Sequence, residues 1–326
     1  MTAAVAIVHD DFAPRSVGAR VSSAVSACFP GAPMSSTSAL PNLSARHLLL
    51  APPVFAGPDA DVVVCVSSGS AHRVRSCGTK VVYCDRPGRA LPGSHRHFRL
   101  RDPWSGATAD RFLVSSNVVR DRVRLAYGID AEVVPPPVEP PRPDGSALDG
   151  LGSGFVLAVG TFDRHEQLDA VAAAFRRLPH SRLVLVGDGP ASGAAEAAGE
   201  GADVTLLGDV PDGELRWLYD NCALVVSASI DDFDPAPVVA ARLGRPVAVL
   251  RYGAAVDAVA EGSTGVFFDS NRPQAIAEAI TAVLSHRWDA GAIAAHARRY
   301  SEEEFMKRMA EVVGATAPLA IAAPGP

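Results

Sequence analysis

Three carboxylates crowd one short loop of this 326-residue chain: Asp231, Asp232 and Asp234, in the segment DDFDPAPVVAARLGRPV at 231–247. Carboxylates so placed accept hydrogen bonds from ligand hydroxyls, and two of them two positions apart form a pair that a divalent cation would share. The loop follows an apolar run, Leu224-Val225-Val226, and leads into a helix-like stretch from Val238 to Leu243. Gly244-Arg245-Pro246 ends that stretch before a second apolar run, Val247 to Leu250. An acidic, proline-marked loop between a strand and a helix N-terminus is where an open α/β sheet holds a ligand.

Other residues have chemistry to offer. After Val186, Gly187-Asp188-Gly189 brings backbone near a ligand without a Cβ in the way, and Gly208-Asp209-Val210 offers main-chain donors and acceptors. Read blandly, both are tight strand-to-helix turns. Arg86, Arg89, Arg96, Arg99 and Arg101 make another segment basic, and arginine's planar fork suits capture of a carboxylate. Read blandly, that segment is a solvated loop. Gly18, in SVGAR after the first strand, either admits a ligand or is an ordinary turn glycine.

The elements that must position these residues alternate in type. Short β-branched runs at Ala4–Val8, Val62–Val66, Lys80–Cys84, Phe112–Val114 and Glu132–Val134 are followed by a second series. It comprises Phe155–Val159, Arg182–Val186, Val204–Leu206, Leu224–Ser227, Val247–Leu250 and Val266–Phe267. Strands of this length that are apolar on both faces suit a parallel sheet covered by helices. Helix-like stretches separate them, notably Gln167–Leu178 and Glu214–Cys222, the latter started by Pro211-Asp212-Gly213. Between the series, PPPVEPPRPDG (135–145) holds six prolines in eleven positions, which stiffens the backbone and removes ladder donors. The expected organisation is therefore α/β, two Rossmann-like doubly wound parallel sheets facing a cleft. The boundaries are 1–138, a Pro-rich linker at 139–150, a second domain at 151–300, and a polar helix with a frayed tail at 301–326.

Composition narrows the function classes. The net charge is −6, from 30 basic and 36 acidic residues, so no basic excess draws in nucleic acid. No apolar run is long enough to suggest a membrane span, and MTAAVAIVHDDF reads as a first strand rather than a leader. Five cysteines without C-x-x-C spacing fit neither zinc nor a disulfide framework, and suit a reducing cytoplasm. Neither G-x-G-x-x-G after the first strand nor G-x-x-x-x-G-K-[ST] occurs, which weakens dinucleotide oxidoreductase and P-loop readings.

With those segments in view, the chain resembles family 4 glycosyltransferases, which have the two-domain GT-B fold. FVLAVG (155–160), AAAF (172–175), RLVLVGDGP (182–190) and VTLLGDVPDGELRWLYDNCALVV (204–226) resemble the family's donor half. So do the 231–247 segment and EGSTGVFFD (261–269). AIVHDDF (6–12), VSSGSA (66–71), VVYCDRP (81–87) and the stretch at 109–139 are similar to its acceptor half. The likeness is greatest to bacterial enzymes using GDP-mannose-type donors.

The resemblance implies a nucleoside-diphosphate sugar donor, GDP-linked, and no metal. For the donor it implies Gly160, Thr161, His165, Gly187, Asp188, Gly189, Val210, Leu215, Phe233, Asp234 and Val239. For catalysis it implies Asp231, Asp85 and Arg164, and for the acceptor Gly18, Ser68, Arg86 and Arg89. It implies a carboxylate-bearing small-molecule acceptor of specialised-metabolite (antibiotic) assembly, and leaves a homodimer open. DDFD is also similar to the D-x-D metal site of the other large glycosyltransferase fold, but it stands where this family's own loop does.

The chain departs from the family at several positions. The family's E-x7-E pair falls on Asp231 and Val239, and valine cannot bond a ribose diol. Two positions whose amides face sugar and phosphate become Asp234 and Pro235, which has no N–H. The arginine and lysine that neutralise the diphosphate become Thr161 and Glu166, with Arg164 and His165 as candidates to compensate. The sugar-contacting histidine becomes Asp85. Two outcomes are compatible with this: an enzyme of unusual sugar or acceptor, or a degenerate GT-B protein that binds or scaffolds.

Overall fold

The computed structural model describes residues 4–12, 16–41, 54–85, 108–145, 147–148 and 150–316. The chain divides into two compact units, Met1–Pro137 with Ser301–Pro326, and Val138–Tyr300. Among the described residues, no helix is long and apolar enough to cross a membrane.

The first unit holds a six-stranded sheet in the order β2-β1-β4-β6-β7-β8. Its strands are β1 (Val5–His9), β2 (Met34–Ser36), β4 (Val62–Ser67), β6 (Thr79–Cys84), β7 (Arg111–Val114) and β8 (Glu132–Val133). β3 (Phe55–Ala56) and β5 (Val74–Arg75) form a separate two-stranded sheet. Every pairing is parallel, and β4 is buried at all six positions, as a strand covered on both faces must be. Helix α1 (Val17–Cys28) is capped by the Ser16 hydroxyl, which accepts the Ala19 N–H at 3.3 Å. Helix α2 (Asn117–Tyr127) is capped by Ser116 and stopped by Gly128 in the left-handed region.

The second unit repeats the plan in the order β11-β10-β9-β12-β13-β14, again all parallel. The strands are β9 (Val156–Val159), β10 (Leu183–Val186), β11 (Val204–Leu206), β12 (Leu224–Ser227), β13 (Val247–Leu250) and β14 (Gly265–Phe268). Counted within the unit this is 3-2-1-4-5-6, the doubly wound order, with a reversal between β9 and β12. Helix α3 (Leu168–Ala174) packs with α4 (Ser192–Gly199) and α8 (Pro273–Ser285), while α6 (Pro235–Arg242) packs with α9 (Ala290–Ala297). Between them run α5 (Asp212–Asn221) and the short α7 (Ala255–Ala258).

Two expectations change. The helix expected as a separate polar end is α10 (Glu302–Thr316), and it belongs to the first unit. Its Phe305, Met309, Val312 and Val313 recur at helical spacing and are buried in that unit's core. Phe305 meets Tyr83 edge-on at 5.8 Å, and the Arg308 guanidinium donates to Glu132 at 2.6 Å. The proline-rich stretch, expected as a stiff linker at 139–150, is instead bound in its later part to the second unit. The Val138 N–H donates to the Tyr300 carbonyl at 2.8 Å, Arg242 pairs with Glu139 at 2.8 Å, and Arg216 donates to the Pro141 carbonyl.

Candidate functional site

In the second unit the crossovers from β9 and β12 leave for different helix groups, so the loops 160–167 and 228–234 flank the reversal. This is where a doubly wound sheet opens a crevice at its strand ends. One backbone bond ties the two loops, from the Ile230 N–H to the His165 carbonyl at 2.8 Å.

Asp163 shapes the first loop. Its Oδ1 accepts the N–H of His165 at 2.7 Å and of Glu166 at 3.2 Å, and its Oδ2 accepts the Thr161 hydroxyl at 3.1 Å. The side chains of Thr161, Arg164 and His165 are left exposed. Gln167 starts α3 at φ 55°, the one non-glycine residue of positive φ among the described residues. That conformation costs roughly 1 kcal/mol. The Gln167 amide oxygen accepts from Asn271 at 3.0 Å, which helps to hold it.

Asp234 anchors the second loop. It is the N-cap of α6, accepting the Ala236 N–H at 2.9 Å, and it takes the Ser227 hydroxyl at 2.5 Å. Pro235 fills the first helical position, where a missing N–H is harmless. Burial pushes the Asp234 carboxyl up to about 6, against the hydrogen bonds from Ser227 and Ala236, with Asp231 raising it further. The D-x-D pair therefore does not stand open for a cation: Asp234 is turned inward to its own loop. The Asp231 N–H donates to the Ser229 hydroxyl at 3.2 Å, and the Asp232 carbonyl accepts the Ala254 N–H at 2.9 Å.

Glu166 lies where these groups meet. A Cβ built on Gly160 would stand 3.1 Å from the Glu166 carboxyl, so the side chain folds back against the end of β9. Burial, then Asp234, Asp231 and Asp163, push this carboxyl up to about 9, and the Ser229 hydroxyl only partly offsets them. A carboxyl raised this far favours its uncharged form near neutral pH, which lessens the negative charge expected at this position.

The two glycines of 187–189 have a packing reason to lack a Cβ. A Cβ on Gly187 would come within 1.8 Å of the Gly160 carbonyl, and one on Gly189 within 2.8 Å of the Phe162 backbone. Both also have positive φ, 129° and 156°. They let the loops after β9 and β10 press together, joined by Phe162 N–H to Asp188 carbonyl at 3.1 Å and Ala191 N–H to Phe162 carbonyl at 2.7 Å. The Gly187 N–H is itself spent on the Gly208 carbonyl at 2.8 Å. The Asp188 carboxylate is exposed and accepts the Gly189 N–H at 2.7 Å. Phe233, Val239 and Val210 are core side chains, Phe233 lying 6.2 Å from Tyr300, and Leu215 is half-buried on α5. None of the four has a polar side chain.

In the first unit the reversal lies between β1 and β4, and an unanticipated residue fills it. Buried Asp10 accepts the N–H of Ser68 at 2.8 Å, of Ser70 at 3.0 Å and of Ala71 at 2.7 Å. Ser68, expected at the acceptor, is held in that contact. Gly18 lies in the first turn of α1, where a Cβ would strike the Phe12 ring at 2.1 Å, so it seats an aromatic side chain. Asp85 is buried beyond β6, its N–H donating to the Ser67 carbonyl at 3.2 Å and its carbonyl accepting the Ser115 hydroxyl at 3.3 Å. Arg86 and Arg89, with Arg96, Arg99 and Arg101, lie outside the described residues. Asp10 and Asp163 carried one sequence signal, a carboxylate just past a strand's C-terminal end.

Known proteins share the fold described above. Residues 149–303 match the model of the family Glycosyl transferases group 1. The D-inositol 3-phosphate glycosyltransferase of Corynebacterium urealyticum is 32% identical over 209 residues, covering 57% of this chain and 49% of that protein. The protein of the same description from Segniliparus rotundus is 29% identical over 225 residues, covering 60% and 50%. The chain thus spans about half the length of the curated relatives it matches. Among solved structures, Anabaena HepE in complex with UDP superposes with a TM-score of 0.70 at 13% identity, covering 95% of this chain and 99% of that one. The lipopolysaccharide outer core galactosyltransferase WaaB, apo form, gives 0.64 at 14% identity over 95% and 99%. The family likeness falls on the second unit and includes both of its switch-point loops, and the chain has the GT-B fold of two Rossmann-like units.

Proposed function

We propose that this chain is a retaining, metal-independent glycosyltransferase that moves a sugar from a nucleoside-diphosphate donor, GDP-linked, to a small-molecule acceptor. The observation that carries this reading is the span of the family match, 149–303, which takes in both loops at the β9/β12 reversal. The second unit would bind the donor there. Asp231 would accept hydrogen bonds from the sugar hydroxyls, and the exposed Arg164 and His165 would reach the diphosphate. The first unit would bind the acceptor, with Ser68, Arg86 and Arg89 as its expected side chains, while Asp85 would serve catalysis, as Asp231 and Arg164 would. A carboxylate-bearing acceptor, taken through oxygen, nitrogen or sulfur in specialised-metabolite assembly, suits the arginines.

In the retaining reaction that the resemblance implies, no side chain attacks the sugar. The departing diphosphate takes the acceptor's proton on the same face, and the protein positions groups and stabilises charge. Titration calorimetry with GDP, UDP and ADP tests the reading. Micromolar binding of a nucleoside diphosphate supports it, with GDP tightest; binding of none would remove it.

One observation favours a second reading, a non-catalytic GT-B protein. The Asp234 carboxylate already occupies an amide at the α6 N-terminus, and Pro235 contributes none, so that helix end has less to give a phosphate. A protein that binds no nucleotide but holds a partner would fit it.

A further inference from the structure

We propose that Glu166 enters the donor site as an uncharged carboxylic acid, donating a hydrogen bond to the diphosphate from the position where a cation is expected. The inference rests on the donor-site reading above and adds a residue role to it.

The geometry singles out Glu166 from its neighbours. The two loops carry five carboxylates: Glu166 and Asp163 on one, and Asp231, Asp232 and Asp234 on the loop after β12; of these, Asp234, Asp231 and Asp163 act on Glu166. Like charges this close do not all ionise together. Asp163 accepts two amides and the Thr161 hydroxyl, and Asp234 accepts one amide and the Ser227 hydroxyl. Glu166 receives the Ser229 hydroxyl, and the charged groups acting on it all share its sign. Arg164 and His165 are on the same loop with exposed side chains. The proton therefore resides on Glu166, consistent with a carboxyl pushed up to about 9.

Protonation changes what the residue can do. An ionised Glu166 beside three aspartates would repel a diphosphate, whereas the acid has one O–H to donate and no charge to oppose it. Its position at the end of β9, against Gly160, is the strand end at which the reversal places a ligand. Diphosphate binding should then be lost as pH rises through the range where Glu166 ionises.

The test is calorimetric binding of GDP and UDP between pH 6.5 and 10 to the wild-type chain and to Glu166→Gln, which has a donor but no titration. The wild type should lose affinity about tenfold per pH unit above about 9, while Glu166→Gln should lack that loss. Ionisation of the nucleotide base affects both proteins alike, so the difference between the profiles is what is read. Parallel profiles would overturn the proposal, because a merely structural Glu166 would not separate them. If neither protein binds any nucleoside diphosphate while both remain folded by circular dichroism, the donor-site reading falls and takes this inference with it.

Discussion

Both sheets reverse strand order once, and carboxylates attend each reversal, but the two sets do different work. In the first unit Asp10 takes three backbone amides of the loop after β4, doing internally what a bound anion would do. That reversal is closed by its own side chain. In the second unit Asp163 and Asp234 also cap amides, yet with Asp231 they raise the Glu166 carboxyl well above the usual carboxylate range. The difference separates a carboxylate that builds a loop from carboxylates gathered at a site. Position at a switch point does not distinguish the two, but the hydrogen-bond partners do.

The comparison is best broken by removing one carboxylate from each side. At a fixed pH, Asp10→Ala should have the largest effect of a single substitution, costing about 3 kcal/mol of stability by leaving buried amides without an acceptor. Urea unfolding measures it, and a midpoint unchanged from wild type would show that these bonds do not hold the loop in place. Glu166 gives the next effect through pH. Its folded value is raised above the ordinary 4.5, so between 4.5 and about 9 the folded protein holds a proton that the unfolded chain has released. Stability must then fall as pH rises through that window, by about 1.4 kcal/mol per pH unit for one proton. Asp234, raised to about 6, adds to the fall at the acid end. Thermal melts from pH 5 to 9 should show this slope, and Glu166→Gln should flatten it.

Asp231→Ala should leave the melting temperature in place and reduce turnover at least tenfold, about 1.4 kcal/mol of barrier. Turnover equal to wild type would take Asp231 out of the site. The smallest expected effect sharpens the role of Asp234. Asp234→Ala should cost about 1 kcal/mol through the lost helix cap, whereas Asp234→Asn keeps the cap and should cost less. Equal losses in the two variants would show that charge, not capping, is what Asp234 contributes.

The strands were readable because residues such as Val62 to Val66 are apolar on both faces, which few other structures accept. The acidic loop was readable because Asp231 to Pro235 join local turn chemistry to a strand end. What escaped was any role defined by distant partners. Asp10 meets Ser68 and Ala71, 58 and 61 positions away, and nothing near it in the chain announces those amides. The glycines at 187 and 189 were correctly noticed, but only the packing of Gly160 and Phe162 against them reveals what they admit. Glu166 was legible as an oddity, while its proton depends on three carboxylates brought together by folding. The C-terminal helix was legible as a helix, but its apolar stripe did not say which core it would enter.

The bond between Val138 and Tyr300 has one more consequence. These residues begin and end the second unit, so that unit leaves and re-enters the chain at a single paired seam. A stretch whose ends already adjoin is an interchangeable cassette. On the reading proposed above, swapping 138–300 for the matching part of a relative should alter which activated sugar is used.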